Sequence, residues 1–426
     1  MRRLQICLLF IIGHFSFSAA QTLDECQEAA ERNYPLIRQY DLIARTTELT
    51  IDNIQKGWLP QVTATAQATL QSDVTAWPEQ MEAMMQQLGV NLRGLSKDQY
   101  RIGIDVQQTV YDGGAISSQR EIARRQGDVE QAQTAVNIYN VRRRVNELYF
   151  ALLLIDEQIQ LKQDLQHLLQ SNEEQLASML RHGTAAESDF QAVKAERLTT
   201  GQQLVSLQSQ RQTLQRLLAV FCGIEVTAPV RPAEYGATAQ SAAFQRPELA
   251  AIDAQLRLAD ARELALNASL MPRLSVFVQG FYGYPGLNMF EDMLRRRWTL
   301  NGIIGARLTW NIGALYTRSN DKARLNVQRS MLDVQRDVFL FNNQQEQLQQ
   351  QDDVERYRQL VASDEEIITL RTAVRRAAES KLSHGIIDVT GLLRDINAEN
   401  AARVQQSVHE IQMLKEMYNL KYSRND

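Results

Sequence analysis

Between residues 62 and 71 the chain alternates strictly. Val62, Ala64, Ala66, Ala68 and Leu70 share one parity, and Thr63, Thr65, Gln67, Thr69 and Gln71 the other. Alternation of this kind predicts a strand with one apolar and one polar face. A partner follows at 102–111, where Ile102, Ile104, Val106 and Val110 oppose Asp105, Gln107 and Thr109. The pattern returns with Leu274, Val276, Val278 and Tyr282. It returns again with Leu300, Ile304, Ala306, Leu308 and Trp310 against Asn301, Arg307 and Thr309. After Gly114 and Gly313 the period becomes helical. Val145, Leu148, Leu152, Ile155 and Ile159 step by 3 and 4, as a coiled-coil seam does, and Val327, Met331, Val334 and Val338 do the same. The run 115–181 corresponds to roughly 100 Å of helix at 1.5 Å per residue, and 314–383 is similar. Each run reverses at a His-Gly pair and returns as a second amphipathic helix.

The punctuation of the chain agrees. Its eight prolines leave 79–228 and 286–426 free of them, and a helix breaker is absent where the long helices are expected. The prolines also expose a duplication. Asn33-Tyr34-Pro35-Leu36 matches Gln245-Arg246-Pro247-Glu248, and Trp58-Leu59-Pro60-Gln61 matches Leu270-Met271-Pro272-Arg273, both offset by 212. Val110-Tyr111-Asp112-Gly113-Gly114 matches Thr309-Trp310-Asn311-Ile312-Gly313, and Arg181-His182-Gly183 matches Ser383-His384-Gly385. Four markers in one order imply two copies of one unit. Repeat 1 is expected at 21–221, with helix 22–57, strands 58–72 and 100–112, and hairpin 114–221. A linker at 222–243 precedes repeat 2 at 244–426, with helix 245–269, strands 272–284 and 298–311, and hairpin 313–422.

Composition narrows the function. The net charge of −4 argues against a nucleic-acid binder. Arg2-Arg3, the apolar stretch Leu4 to Phe17 and Ser18-Ala19-Ala20 read as a cleaved export signal over 1–20. No later segment is apolar for long enough to be a membrane helix. Beyond the signal, His167, His182, His384 and His409 stand singly, and no phosphate loop, dinucleotide fingerprint or Cys/His metal spacing occurs. No catalytic residue, metal site or cofactor is expected. Cys26 and Cys222 are the two cysteines after the signal. In an exported protein they are a candidate disulfide, against the plainer reading of two core thiols.

Strands of this length suit a tilted crossing of an outer membrane. Four strands cannot close a barrel, and an open edge in lipid leaves backbone groups unpaired, so the pattern requires oligomerisation. The alternative is a periplasmic coiled-coil adaptor or scaffold without a barrel.

With Trp58-Leu59-Pro60-Gln61 before the first strand, Tyr111-Asp112-Gly113-Gly114 after the second, and His182-Gly183 to Ser188-Asp189-Phe190-Gln191-Ala192 at a tip, the sequence resembles the TolC-type outer-membrane efflux ducts. That resemblance implies a mainly α fold with a transmembrane β portion. Three copies would form a twelve-stranded β-barrel continuing into a twelve-helix α-barrel in the periplasm, with a collar near the linker. It implies a channel-tunnel of a tripartite efflux or type I secretion system, working with a periplasmic adaptor and an inner-membrane pump, in contact with lipid and lipopolysaccharide. Docking and the pore constriction are expected at the two tips, through His182, Gly183, Ser188, Asp189, His384, Gly385, Asp388, Gly391 and Arg394. Ser188, Asp189 and Asp388 are also helix-capping candidates. The family often carries an acidic pair in the second tip, and here Gly391 and Arg394 stand at the matching positions. The strand-opening and strand-exit positions are Pro60, Asp112, Gly113, Gly114, Pro272, Asn311 and Gly313. His182 and His384 are equivalent positions and candidates for a pH-sensitive or metal-binding ring. Arg295-Arg296-Arg297 is a candidate lipopolysaccharide contact, and Met81 to Leu88 a short helix in the other external loop.

Overall fold

A computed structural model describes residues 21–234 and 246–425. The expected signal segment and the second half of the expected linker lie outside the described residues. In chain order the elements are α1 (Leu23–Asn33), α2 (Ile37–Gln55), β1 (Gln61–Leu70), α3 (Glu79–Gln87), β2 (Asp98–Tyr111), α4 (Ala115–Arg181) and α5 (Glu187–Cys222). There follow α6 (Pro247–Ser269), β3 (Arg273–Tyr284), α7 (Met289–Leu294), β4 (Thr299–Thr309), α8 (Ala314–Ser383) and α9 (Val389–Arg424). The single helix expected over 22–57 is two helices. Tyr34 is extended (φ −63°, ψ 128°), because the ring of Pro35 disfavours a helical residue before it. The short helix expected at Met81 to Leu88 is α3.

The chain forms two compact units. Of the described residues, one unit holds those up to Gln39, those within Gln133–Ala250 and those from Asp337 on; the other holds Tyr40–Ala132 and Ala251–Arg336.

The second unit carries a four-stranded antiparallel sheet in the order β1-β2-β3-β4. β1 and β2 form one hairpin, with Ala64 opposite Ile104, and β3 and β4 another, with Val278 opposite Ile304. The hairpins meet where β2 pairs with β3, Val106 opposite Val278, and the register shifts between Thr109 and Tyr111. Antiparallel partners share a face, so the two periodicities merge into two continuous surfaces. Val62, Ile102, Ile104, Val278, Leu300, Ile304 and Leu308 lie on the apolar one. It is open: Leu300 is 81 % and Ile304 82 % exposed.

In the first unit α1 opens with a capping box, Thr22 receiving the Glu25 N–H while Glu25 accepts from the Thr22 N–H. Its apolar side, Leu23, Cys26 and Ala30, joins Val145, Tyr149, Phe150 and Leu152 of α4, Leu218 and Cys222 of α5, and Ile411, Leu414 and Met417 of α9 in one core. Val145, Leu148 and Leu152 of the seam read from α4 belong to this packing. Gly223, with φ +69°, ends α5. A second core at the hairpin ends combines Leu169, Leu176, Val193, Val389, Leu392 and Ile396.

Candidate functional site: the helical tips and the two-faced sheet

The two tips share one turn. α4 ends at Arg181, Gly183 takes φ +71°, and α8 ends at Ser383 with Gly385 at φ +70°. Both glycines occupy the left-handed region, where a side chain is strained. Each turn closes with a wide backbone bond, Thr184 N–H to the Met179 carbonyl and Ile386 N–H to the Lys381 carbonyl, both 2.9 Å, which satisfies carbonyls left over at the helix end. In each, the histidine Nδ1 lies 2.7 Å from the carbonyl oxygen four residues earlier, Ser178 for His182 and Ser380 for His384. Nδ1 is therefore the donor, and Nε2 is left for other partners. Among the described residues no group of three metal-ligating side chains occurs.

The returning helices differ. Asp388 is the N-cap of α9 and accepts the Gly391 N–H at 2.8 Å. The N-cap of α5 is Ala186, which has no side-chain acceptor. Ser188 and Asp189 lie inside the first turn of α5 rather than at its cap, a correction to the capping expected of them. Gly183, Asp189, His384 and Gly385 line one cavity of about 750 Å³ together with Met179 and Ile387. Ser188, Asp388, Gly391 and Arg394 do not line it. Arg394 is exposed, with Nε 3.5 Å from the Asp395 carboxylate.

The strand exits differ as well. Asp112 is buried and its two carboxylate oxygens accept from Gly114 N–H (2.9 Å) and Ile116 N–H (2.6 Å), joining β2 to the start of α4. Gly113 and Gly114 have φ +69° and +86°, and a Cβ on Gly113 would collide with Met271. In the second copy Ala314 N–H bonds the Asn311 backbone carbonyl at 3.3 Å, and Gly313 has no left-handed φ. Pro60 and Pro272 directly precede β1 and β3.

The sheet's apolar face is bordered by aromatic rings. Tyr100 and Tyr282 lie 6.1 and 5.4 Å from Trp298 at the end of the connecting loops. Trp310 follows β4 at the other end, its Nε1 donating to the Leu270 carbonyl. The opposite face carries Thr63, Thr65, Gln67, Gln99, Arg101, Asp105 and Gln107. No helix of the described residues is long and apolar enough to cross a membrane. Of the expected arginine cluster, Arg296 pairs with Asp98 and Arg297 with Glu291, so two of the three guanidiniums are already engaged.

Cys26 and Cys222 are two free, buried thiols, not a disulfide. The Cys222 thiol donates to the Cys26 carbonyl at 3.4 Å. Hydrogen bonding to Cys222, then burial, pushes the Cys26 thiol above the usual thiol range.

One cluster was invisible in the pattern. Arg246 is 6 % exposed, with its guanidinium 4.9 to 5.6 Å from the ring centres of Tyr139, Phe339 and Tyr422 and bidentate to Glu248. Its repeat counterpart Tyr34 stacks on Phe221 at 6.4 Å. The only sequence signal was the position before the marker proline.

Two antiparallel hairpins with an open apolar face, joined to helices of 67 and 70 residues, make up a fold shared with solved outer-membrane channels. The channel OprN superposes with a TM-score of 0.68 at 15 % identity, over 94 % of this chain and 89 % of that chain. CusC gives 0.66 at 13 %, over 95 % and 92 %, and CmeC of Campylobacter jejuni 0.64 at 11 %, over 94 % and 85 %. No curated protein sequence is significantly similar. Residues 27–223 match the outer membrane efflux protein family.

Proposed function

We propose that this chain is one protomer of an outer-membrane efflux channel. The observation that carries the reading is the sheet: its apolar face is solvent-exposed and edged by aromatic rings, while β1 and β4 leave two unpaired edges. Aromatic girdles flanking an apolar band suit a lipid crossing, and in lipid both edges must be paired. Three copies joined edge to edge would close twelve strands. On α8, Val327, Met331, Val334, Val338 and Phe341 repeat at intervals of 4, 3, 4 and 3 and are all more than half exposed, as a seam awaiting a neighbouring copy would be. The long helices then continue the barrel as a twelve-helix periplasmic tunnel, with a collar around the segment after Gly223.

The tips are the expected docking surface for a periplasmic adaptor and an inner-membrane pump of a tripartite efflux or type I secretion system. An exposed Arg394 makes the second tip less negative. The family, the fold and the lack of any catalytic constellation in the sequence support a conduit rather than an enzyme. The rival reading, a periplasmic coiled-coil scaffold, has no use for the apolar sheet face. Extraction decides between them: detergent-requiring trimers in the outer-membrane fraction that conduct in planar bilayers support the channel. A freely soluble periplasmic pool overturns it.

A further inference from the structure

We infer that the polar face of the sheet favours anionic solutes. The inference rests on the channel reading, in which this face lines the barrel.

Register fixes which residues share that face. Gln67 opposes Arg101, Thr63 opposes Asp105, Asp105 opposes Gln279, Ser275 opposes Arg307 and Thr309 opposes Arg273. The strand residues of that parity carry three arginines, Arg101, Arg273 and Arg307, and one carboxylate, Asp105. The face is therefore net basic in a chain that is net acidic at −4. The rest of that face mixes amides and hydroxyls with Phe277, Phe281 and Ile303.

The arginines are also left charged and available. Among the described residues none of the three has an ion-pair partner. Arg101 lies over the Phe281 ring at 3.8 Å and Arg307 over the Phe277 ring at 5.1 Å. An aromatic face holds a guanidinium in place without neutralising it. Arg101 borders a cavity of about 320 Å³ lined also by Gln67, Gln71, Gln99 and Tyr284, so its charge stands among amides that can donate to an anion. Arg101 sits near the connecting loops, and Arg273 and Arg307 near the helical end, which distributes the positive charge along the path. Repeated by threefold closure, these become rings of like charge in a low-dielectric wall. That arrangement enriches counter-ions.

The experiment uses the purified full-length protein in a planar bilayer, with ferricyanide or hexaamminecobalt(III) added on the side of the strand-connecting loops. Ferricyanide should block the potassium chloride current at a concentration about tenfold lower than hexaamminecobalt(III) does. The double substitution R101Q/R307Q should raise the half-blocking ferricyanide concentration about tenfold. R101K/R307K, which keeps the charge, should leave it unchanged and guards against a folding artefact. Equal or stronger block by hexaamminecobalt(III), or ferricyanide block indifferent to R101Q/R307Q in conducting channels, overturns the inference while leaving the channel reading intact. Protein that forms no conducting oligomer overturns the channel reading itself, and this inference with it.

Discussion

The two helical hairpins answer the same question with opposite charges. Between α4 and α5, Glu173 accepts from Arg197. Between α8 and α9, Arg375 donates to Glu399. Shifted by the 202 residues that separate His182 from His384, Glu173 falls on Arg375 and Arg197 on Glu399. The bridge has kept its place and reversed its polarity. What matters for holding two helices together at this depth is complementarity across the gap, because each charge stabilises the other whichever helix carries it. The surroundings differ more than the pair does. Glu399 also accepts from Thr372 at 2.9 Å and Arg403 at 2.7 Å and is 5 % exposed. The Arg197 and Glu173 side chains keep 28 % and 16 % exposure.

That contrast sets the largest expected effect. Glu399→Gln leaves two guanidiniums short of a buried partner and should cost about 3 kcal/mol or more. Glu173→Gln, with one partner and more water, should cost about 1 kcal/mol. Guanidinium midpoints of the two variants measured side by side check the order, and equal losses would break the comparison.

Acid should weaken the same hairpin. Burial works to raise the Glu399 carboxyl, but hydrogen bonds from Arg403, Arg375 and Thr372 outweigh it and hold it below the usual range. A carboxyl depressed on folding stabilises at pH above its unfolded value of about 4.3 and loses that contribution as pH falls toward the folded value. The wild type should therefore lose stability on acidification below about pH 5, and E399Q should lose less over the same interval. A Tm series from pH 7 to 3 reads the difference.

The strand exits offer an effect of middle size. Asp112 satisfies two backbone N–H groups from a buried position, whereas the Asn311 side chain is exposed. Asp112→Ala should cost about 2 kcal/mol and Asn311→Ala less than about 0.5 kcal/mol, again by denaturant midpoint. The second copy makes the turn without left-handed glycines.

Much of this was legible before the fold. Strict alternation at 62–71 and the 3-and-4 stepping from Val145 report which side of an element faces apolar surroundings, and both proved to be faces of the structure. Periodicity names a face, however, and not the partner. Nothing in it joins β2 to β3, since pairing 106 with 278 depends on two segments far apart in the chain. The break at Tyr34 was written in Pro35, yet a proline is also tolerated in the first turn of a helix, and the amphipathic pattern ran on through it. The Arg246 cage was hidden for a different reason: its rings come from α4, α8 and α9, and a lone arginine before a proline carries no trace of them. At the tips the His-Gly turns were plain, because only glycine occupies φ near +70° without strain. The cap was misplaced, because Ser and Asp one position apart inside a first turn look like caps until the helix start is known.

That misplacement defines the smallest and sharpest test. Ala186 holds φ −83° and ψ 150°, nearly the conformation of Asp388 at φ −85° and ψ 168°, so the backbone of the first tip is already shaped for a cap it lacks. Asp388→Ala should cost about 1 kcal/mol. Ala186→Ser should add about 0.5 kcal/mol, because its hydroxyl can accept the Asp189 N–H as Asp388 accepts that of Gly391. Serine is the better choice there, since Glu187 and Asp189 follow immediately and a third carboxylate would repel them. Hydrogen exchange of the amides at 188–190 gives a local readout independent of global stability: slower exchange in A186S, with no change at 390–392, is the expected pattern. Exchange unaltered at both tips would mean that the turn, rather than the cap, limits opening there, and that the two tips are equivalent despite their different chemistry.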